Sequence, residues 1–147
     1  MGQKKLVTKT EETDNKAESK APISAEKKSA KRQVINGVAH ISVSYNNTMV
    51  TIADSKGEVI AWSSSGLLGF KGTKKSTPYA ANLVARDCVE KSKKYNLTNI
   101  GIIVKGVGPG RESAMRGLVS SGLNVTSIMD NTPVPHNGTR PKKPRRI

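Results

Sequence analysis

The 147-residue sequence predicts an α/β domain: a mixed five-stranded sheet in the order βββαβαβ with two helices, set between two tails. Three observations carry this. β-rich runs with short connections fill residues 37–63, and the apolar period changes to that of a helix after Thr77. Each of two helical stretches is followed by a short strand-like run, at 99–105 and 123–130. Nearly all the apolar periodicity lies within residues 34–130, which bounds the domain.

The first strand is expected at Gly37–Tyr45, carrying Val38, His40 or Ile41, Val43 and Tyr45. Asn46-Asn47 reads as a turn, because Asn tolerates positive φ. Met49–Asp54 is a second strand with Val50 and Ile52 on one face. Asp54-Ser55-Lys56-Gly57 is a turn, and Glu58–Ser63 a third strand, completing an antiparallel meander. Thr77-Pro78 supplies an N-cap followed by proline at the first helical position. Ala81, Val84, Ala85 and Cys88 then recur at helical spacing through about Tyr95, with Lys91, Lys93 and Lys94 suiting the negative helix end. Asn99–Lys105 is a buried strand and Gly106–Gly110 a glycine-rich turn. Arg111–Ser121 is a second helix with Ala114, Met115, Leu118 and Val119 inward and Gly122 as its stop. Leu123–Asp130 is the last strand, with Asp130 ending it as a core strand. Two crossover helices imply at least three parallel strands, and right-handed crossovers lay the helices on the sheet. The order is similar to that of the ribonuclease-H-like family.

Charge divides the chain into three parts. Lys plus Arg is 25 against 11 Asp plus Glu, a net charge of +14. So high a charge on so short a chain points to a polyanionic partner, nucleic acid before membrane surface. Residues 1–33 hold nine bases, five acids and no aromatic residue, and are expected to be a disordered extension. Residues 34–130 hold eleven bases and six acids. Residues 131–147 hold five bases, no acid and four of the seven prolines, an extended basic tail. A single cysteine, Cys88, and two histidines, His40 and His136, argue against a disulfide or a metal centre. Five aromatic residues in all argue against a single-strand binder built on many stacking rings. No apolar run is long enough to span a membrane, and neither a secretory signal nor a presequence is visible, so a cytoplasmic location is expected.

Three segments can carry chemistry. Gly66–Pro78 is a glycine-containing loop with Lys71, Lys74 and Lys75 that leads into a helix start. Backbone N–H groups, the helix dipole and lysines there suit a phosphate. Lys105–Glu112 (KGVGPGRE) has neither the spacing of a phosphate-binding Walker loop nor the third glycine of a dinucleotide fingerprint. It reads as a tight turn, with Arg111 at a helix start where the dipole disfavours a cation and where a phosphate neighbour would account for it. The tail from Thr132 to Ile147 becomes a strip of point charges against a polyanion. Its Asn137-Gly138 also invites succinimide chemistry, because glycine leaves the Asn carbonyl unshielded.

Gly37-Val38-Ala39-His40-Ile41, Asn46-Asn47-Thr48, Gly69-Phe70-Lys71-Gly72, Lys75-Ser76-Thr77-Pro78, Lys105-Gly106-Val107-Gly108-Pro109-Gly110-Arg111-Glu112 and Pro133-Val134-Pro135-His136-Asn137-Gly138 with Arg140-Pro141 together resemble the bacterial type of ribosomal small-subunit protein eleven. The resemblance spans residues 36–147 in order and spacing. Lys74 stands where that family commonly has Arg, and no Cys occurs in the tail. The resemblance implies a non-enzymatic rRNA-binding protein of the small-subunit platform, near the messenger exit path, without cofactor, metal or small-molecule substrate. Implied partners are small-subunit rRNA, neighbouring platform proteins and mRNA in the exit region. The residues expected at RNA are Asn46, Asn47, Phe70, Lys71, Lys74, Lys75, Arg111, Arg116, His136, Arg140, Lys142, Lys143, Arg145 and Arg146, with Asn137 a modification candidate.

The alternative is a metal-dependent nuclease of ribonuclease-H-like fold. That chemistry needs clustered carboxylates around divalent metal. Asp54, Glu58, Asp87, Glu90 and Glu112 instead fall at turns or on exposed helix faces. His40 reads as a satisfied strand histidine, Ser63-Ser64-Ser65 as a flexible connector and Cys88 as a small core residue.

Overall fold

In the computed structural model, residues 33–140 and 142–143 are described. Strand alternation sorts the sheet into two faces. In β1 (Asn36–Ser44) Ala39, Ile41 and Val43 are buried, while His40 and Ser42 are exposed. In β2 (Asn47–Asp54) Val50 and Ile52 join the buried face, as expected from the sequence. β3 (Val59–Ser64) adds Ala61 and Ser63, and β4 (Asn99–Lys105) adds Ile100, Ile102 and Val104. β5 (Asn124–Asp130) completes a five-stranded sheet ordered β3-β2-β1-β4-β5. β1 to β3 form the antiparallel meander, and β1, β4 and β5 run parallel.

α1 (Pro78–Ser92) and α2 (Gly110–Ser120) cover the buried face. Ala81, Val84, Ala85, Cys88 and Val89 of α1 and Ala114 and Leu118 of α2 pack with Ile41, Ile52, Ile100 and Ile102 in one core. Fully burying each such isoleucine contributes about 1.5–3 kcal/mol. The helices approach closely at Gly117, where an added Cβ would meet Ala85 Cβ at 2.8 Å and Asn82 O at 3.1 Å. No described helix covers the other sheet face. The register lines up Trp62, Thr51, His40, Ile103 and Met129 across it in one row.

Several local expectations change. The β1–β2 turn is Tyr45-Asn46, and Asn47 already belongs to β2. Ser44 Oγ caps the turn, accepting from Asn47 N (3.1 Å), which satisfies the turn without the second Asn. α1 stops at Ser92. Lys93–Tyr95 tightens to a 3₁₀ turn, closed by Asn96 at φ 58°. α2 starts one residue early, at Gly110. Val119 points outward at 55% exposed, because Gly117 takes the position facing α1. β5 is an exposed edge, not a core strand: only Val125 is even half-buried. Ser63 to Ser65 are not a flexible connector. Ser63 and Ser65 are fully buried, and Ser65 Oγ donates to Thr48 O at 3.3 Å. His40 is exposed on the uncovered face. The expectation of disorder for 1–33 falls outside the described residues, Gln33 excepted.

Candidate nucleic-acid interface

The parallel strands β1, β4 and β5 end on one side of the sheet, at Ser44, Lys105 and Asp130. β2 begins and β3 ends on that same side, since Ser44 pairs with Asn47 and Met49 with Ser64. The topology therefore brings four sequence-predicted features to one end: the Asn46 turn, the lysine loop after β3, the glycine loop before α2 and the root of the tail. Ligands of open α/β sheets collect at the carboxyl ends of strands for this reason.

The lysine loop is built, not slack. Residues Gly72–Ser76 form a 3₁₀ turn, held by Ser76 Oγ donating to Thr73 O (3.1 Å). Thr77 is the N-cap that the sequence predicts: its Oγ1 accepts from Ala80 N (3.3 Å) and donates to Lys74 O (2.9 Å). Lys71 and Lys74 are exposed and Lys75 is half-buried on this loop. Phe70 is half-buried and meets the Tyr79 ring edge-on, with centroids 6.3 Å apart.

The glycine loop lies against the end of β1. Gly106 has φ +96°, and a Cβ there would fall 2.0 Å from Val43 O, so only glycine fits. Gly110 sits over Thr48, whose Oγ1 an added Cβ would meet at 2.5 Å. Among the described residues, Thr48 Oγ1 and Asn47 Oδ1 are buried without a hydrogen-bond partner. Asn47 is thus half-buried with its carbonyl oxygen turned inward, whereas Asn46 is exposed.

Arg111 is where the geometry corrects the sequence argument most. A phosphate is not needed to account for it. Its Nη2 pairs with the Asp130 carboxylate, and its Nη1 donates to Gly106 O (2.5 Å) and Thr132 Oγ1 (3.2 Å). Thr132 Oγ1 in turn donates to Asp130 Oδ1 (2.5 Å) and accepts from Gly106 N (3.2 Å). Hydrogen bonds from Thr132 and Arg111 hold the Asp130 carboxyl below its usual range. Arg111 is a latch between the glycine loop and the root of the tail, and its side chain is 29% exposed.

Past Asn131 the described tail has no regular structure. His136, Arg140, Lys142 and Lys143 are exposed on it. Asn137, at φ 53°, sits in an exposed bend before Gly138. Arg145 and Arg146 lie outside the described residues. Arg116 is not part of the strand-end group. It stands on the outer face of α2, 3.5 Å from Glu112.

Two groups escaped the sequence reading. Lys105 is exposed at the end of β4, inside a motif whose sequence reading rests on its glycines and Arg111. Tyr79, Asn82, Leu83 and Arg86 form the outward stripe of α1, at the same helical spacing that revealed the inward one. The carboxylates are dispersed. Asp87 is bound by Ser63 Oγ and Lys91 Nζ, both at 2.5 Å, and Asp130 by Arg111. Among the described residues no three of His, Cys, Asp or Glu could share a metal ion. Burial pushes the Cys88 thiol up to about 12, so it stays protonated in the core. No described helix is long and apolar enough to cross a membrane.

Known proteins resemble the chain over most of its length. The family model described as ribosomal protein S11 matches residues 37–146. The chain is 50% identical over 129 residues to small ribosomal subunit protein uS11 of Buchnera aphidicola subsp. Cinara cedri, covering 88% of this chain and 99% of that one. It is 52% identical over 124 residues to its counterpart in Wigglesworthia glossinidia brevipalpis, covering 84% and 95%.

Proposed function

The chain belongs to the ribosomal protein S11 family, and on that premise we propose that it binds small-subunit rRNA on the platform, near the mRNA exit path, through the strand-end surface. It is a structural protein of the small ribosomal subunit and not an enzyme. The observation that carries the RNA-binding reading is the convergence of Lys71, Lys74, Lys75, Lys105 and the tail root at one end of the sheet. Lysines on a shaped loop recognise phosphates as point charges, and their backbone supports fix register on the RNA without reading sequence. Asn46, Phe70, His136, Arg140, Lys142 and Lys143 extend the same surface, with Arg145 and Arg146 following along the tail. Asn47 contributes through its backbone and Arg111 by holding the tail root in place. Neighbouring platform proteins and mRNA are the remaining partners of this reading, and the cytoplasmic ribosome is its location. Asn137 is proposed as a site of succinimide formation, its exposed bend leaving the Gly138 nitrogen free to approach.

The test is binding of the full chain to purified small-subunit rRNA as a function of salt. If six to ten bases reach phosphates, affinity falls by about 10³–10⁵ between 50 and 200 mM salt. A flat salt dependence overturns the reading.

A further inference from the structure

The outer faces of α1 and α2 enclose a groove of about 440 Å³ that the strand-end surface does not include. Its walls carry Tyr79, Asn82, Leu83 and Arg86 from α1 and Ser113 and Arg116 from α2. Among the described residues the two arginines are its only charged lining. Arg86 makes no ion pair among the described residues, and Arg116 has only the long, exposed contact with Glu112, which is worth little. Asp87, next to Arg86 on α1, is already taken by Lys91 and Ser63. Tyr79 is 69% exposed, yet its ring is steadied edge-on by Phe70 at an interplanar angle of 83°.

We propose that this groove holds one unpaired nucleotide of the rRNA, its base on the Tyr79 ring and Leu83 and its phosphate between Arg86 and Arg116. The proposal rests on the rRNA-binding reading and adds a second contact outside the strand-end surface. Single-stranded bases are recognised by stacking on an aromatic ring and by polar side chains at their edges. Asn82 and Ser113 can each donate and accept there. The volume lies within the range of small-ligand sites. An acidic peptide would use the two arginines but leave the exposed ring without a stacking partner. A nucleotide uses both. Because Phe70 already orients the ring, stacking costs little further ordering.

The test compares the full chain with Tyr79→Ala, Tyr79→Phe and Arg86→Gln, measuring affinity for small-subunit rRNA against salt and the melting temperature of each. Tyr79→Ala is expected to lose about tenfold in affinity with an unchanged salt slope, and Tyr79→Phe to keep native affinity. Arg86→Gln should reduce the slope of log affinity against log salt by about one. Arg86 is exposed and unpaired, so its variant folds whatever Tyr79→Ala does. Native-like binding and slope in both Tyr79→Ala and Arg86→Gln overturn the groove while the rRNA-binding reading stands. Failure of the native chain to bind rRNA overturns both. Polyglutamate that shifts the Tyr79 and Ser113 amide resonances, where rRNA does not, overturns the nucleotide in favour of an acidic protein.

Discussion

Arg111, in the first turn of α2, pairs with Asp130, the last residue of β5, and Thr132 Oγ1 bridges the two. This cluster ties the helix start, the glycine loop and the tail root into one unit. It makes the direction in which the basic tail leaves the domain a property of the fold.

Arg111→Ala should therefore disturb the tail more than the domain. The amides of Gly106 and Thr132 lose their acceptors' support and should exchange faster with solvent, while core amides of β1 and β4 keep their protection. Affinity for rRNA falls because the tail root is free to wander. Unchanged exchange at both amides would show that the latch positions nothing.

The same latch should respond to acid. Hydrogen bonds from Thr132 and Arg111 hold the Asp130 carboxyl below the ordinary aspartate range. A depressed carboxylate stabilises the fold fully above its unfolded value, and that contribution is lost as pH falls through the folded value. Gly106 and Thr132 amide protection should be level through neutral and mildly acidic pH and decline below about pH 4. Protection that declines as pH rises through neutrality would contradict the assignment.

Gly110→Ala places a Cβ 2.5 Å from Thr48 Oγ1 and 3.1 Å from Ala81 Cβ. Overpacking of this kind costs about 1–3 kcal/mol. Thr48 Oγ1 has no hydrogen-bond partner to lose among the described residues, so adding Thr48→Ala should recover part of that loss. Urea denaturation of the two single variants and the double variant measures the coupling. Additive losses would mean the clash is not with Thr48.

Ser63→Ala removes a fully buried donor to a carboxylate. Burial pushes the Asp87 carboxyl up, but hydrogen bonds from Lys91 and Ser63 outweigh it and hold it low. The loss should be about 1.5–3 kcal/mol, the range for hydrogen bonds to charged groups, read from urea denaturation at neutral pH. Lys91→Met should cost less, since the Lys91 side chain is 42% exposed. The reverse ranking would place the weight of this site on the ion pair.

Deleting residues 136–147 should impair incorporation into small subunits, because it removes five bases with no compensating acid. Deleting residues 2–30 should leave incorporation nearly normal, since the lysines there are interleaved with acids and lie outside the family match. Co-expression of each tagged truncation with the intact chain, followed by its share in purified subunits, reads the difference. Equal incorporation would show that the tail does not hold the RNA.

Local physics makes most elements legible in the sequence. β4 starts and ends where its apolar run does, and Thr77-Pro78 opens α1, because periodicity and capping depend on residues within about four positions. The lysine loop and the basic tail were legible as candidate RNA contacts for the same reason: charge and glycine are visible one residue at a time. Arg111 was misread because its partner is 19 positions away and reaches it only after the β4–α2–β5 crossover closes. Ser63 was misread likewise, since Asp87 lies 24 positions on and meets it only when α1 packs on β3. An apolar pattern could not show that β5 lies at the edge with both faces open, because exposure depends on what the helices cover. The sequence by itself determined which residues form strands, helices and turns. Only the tertiary structure decided which ends of those elements meet, and with that which charges are paired inside the fold and which are left for a partner.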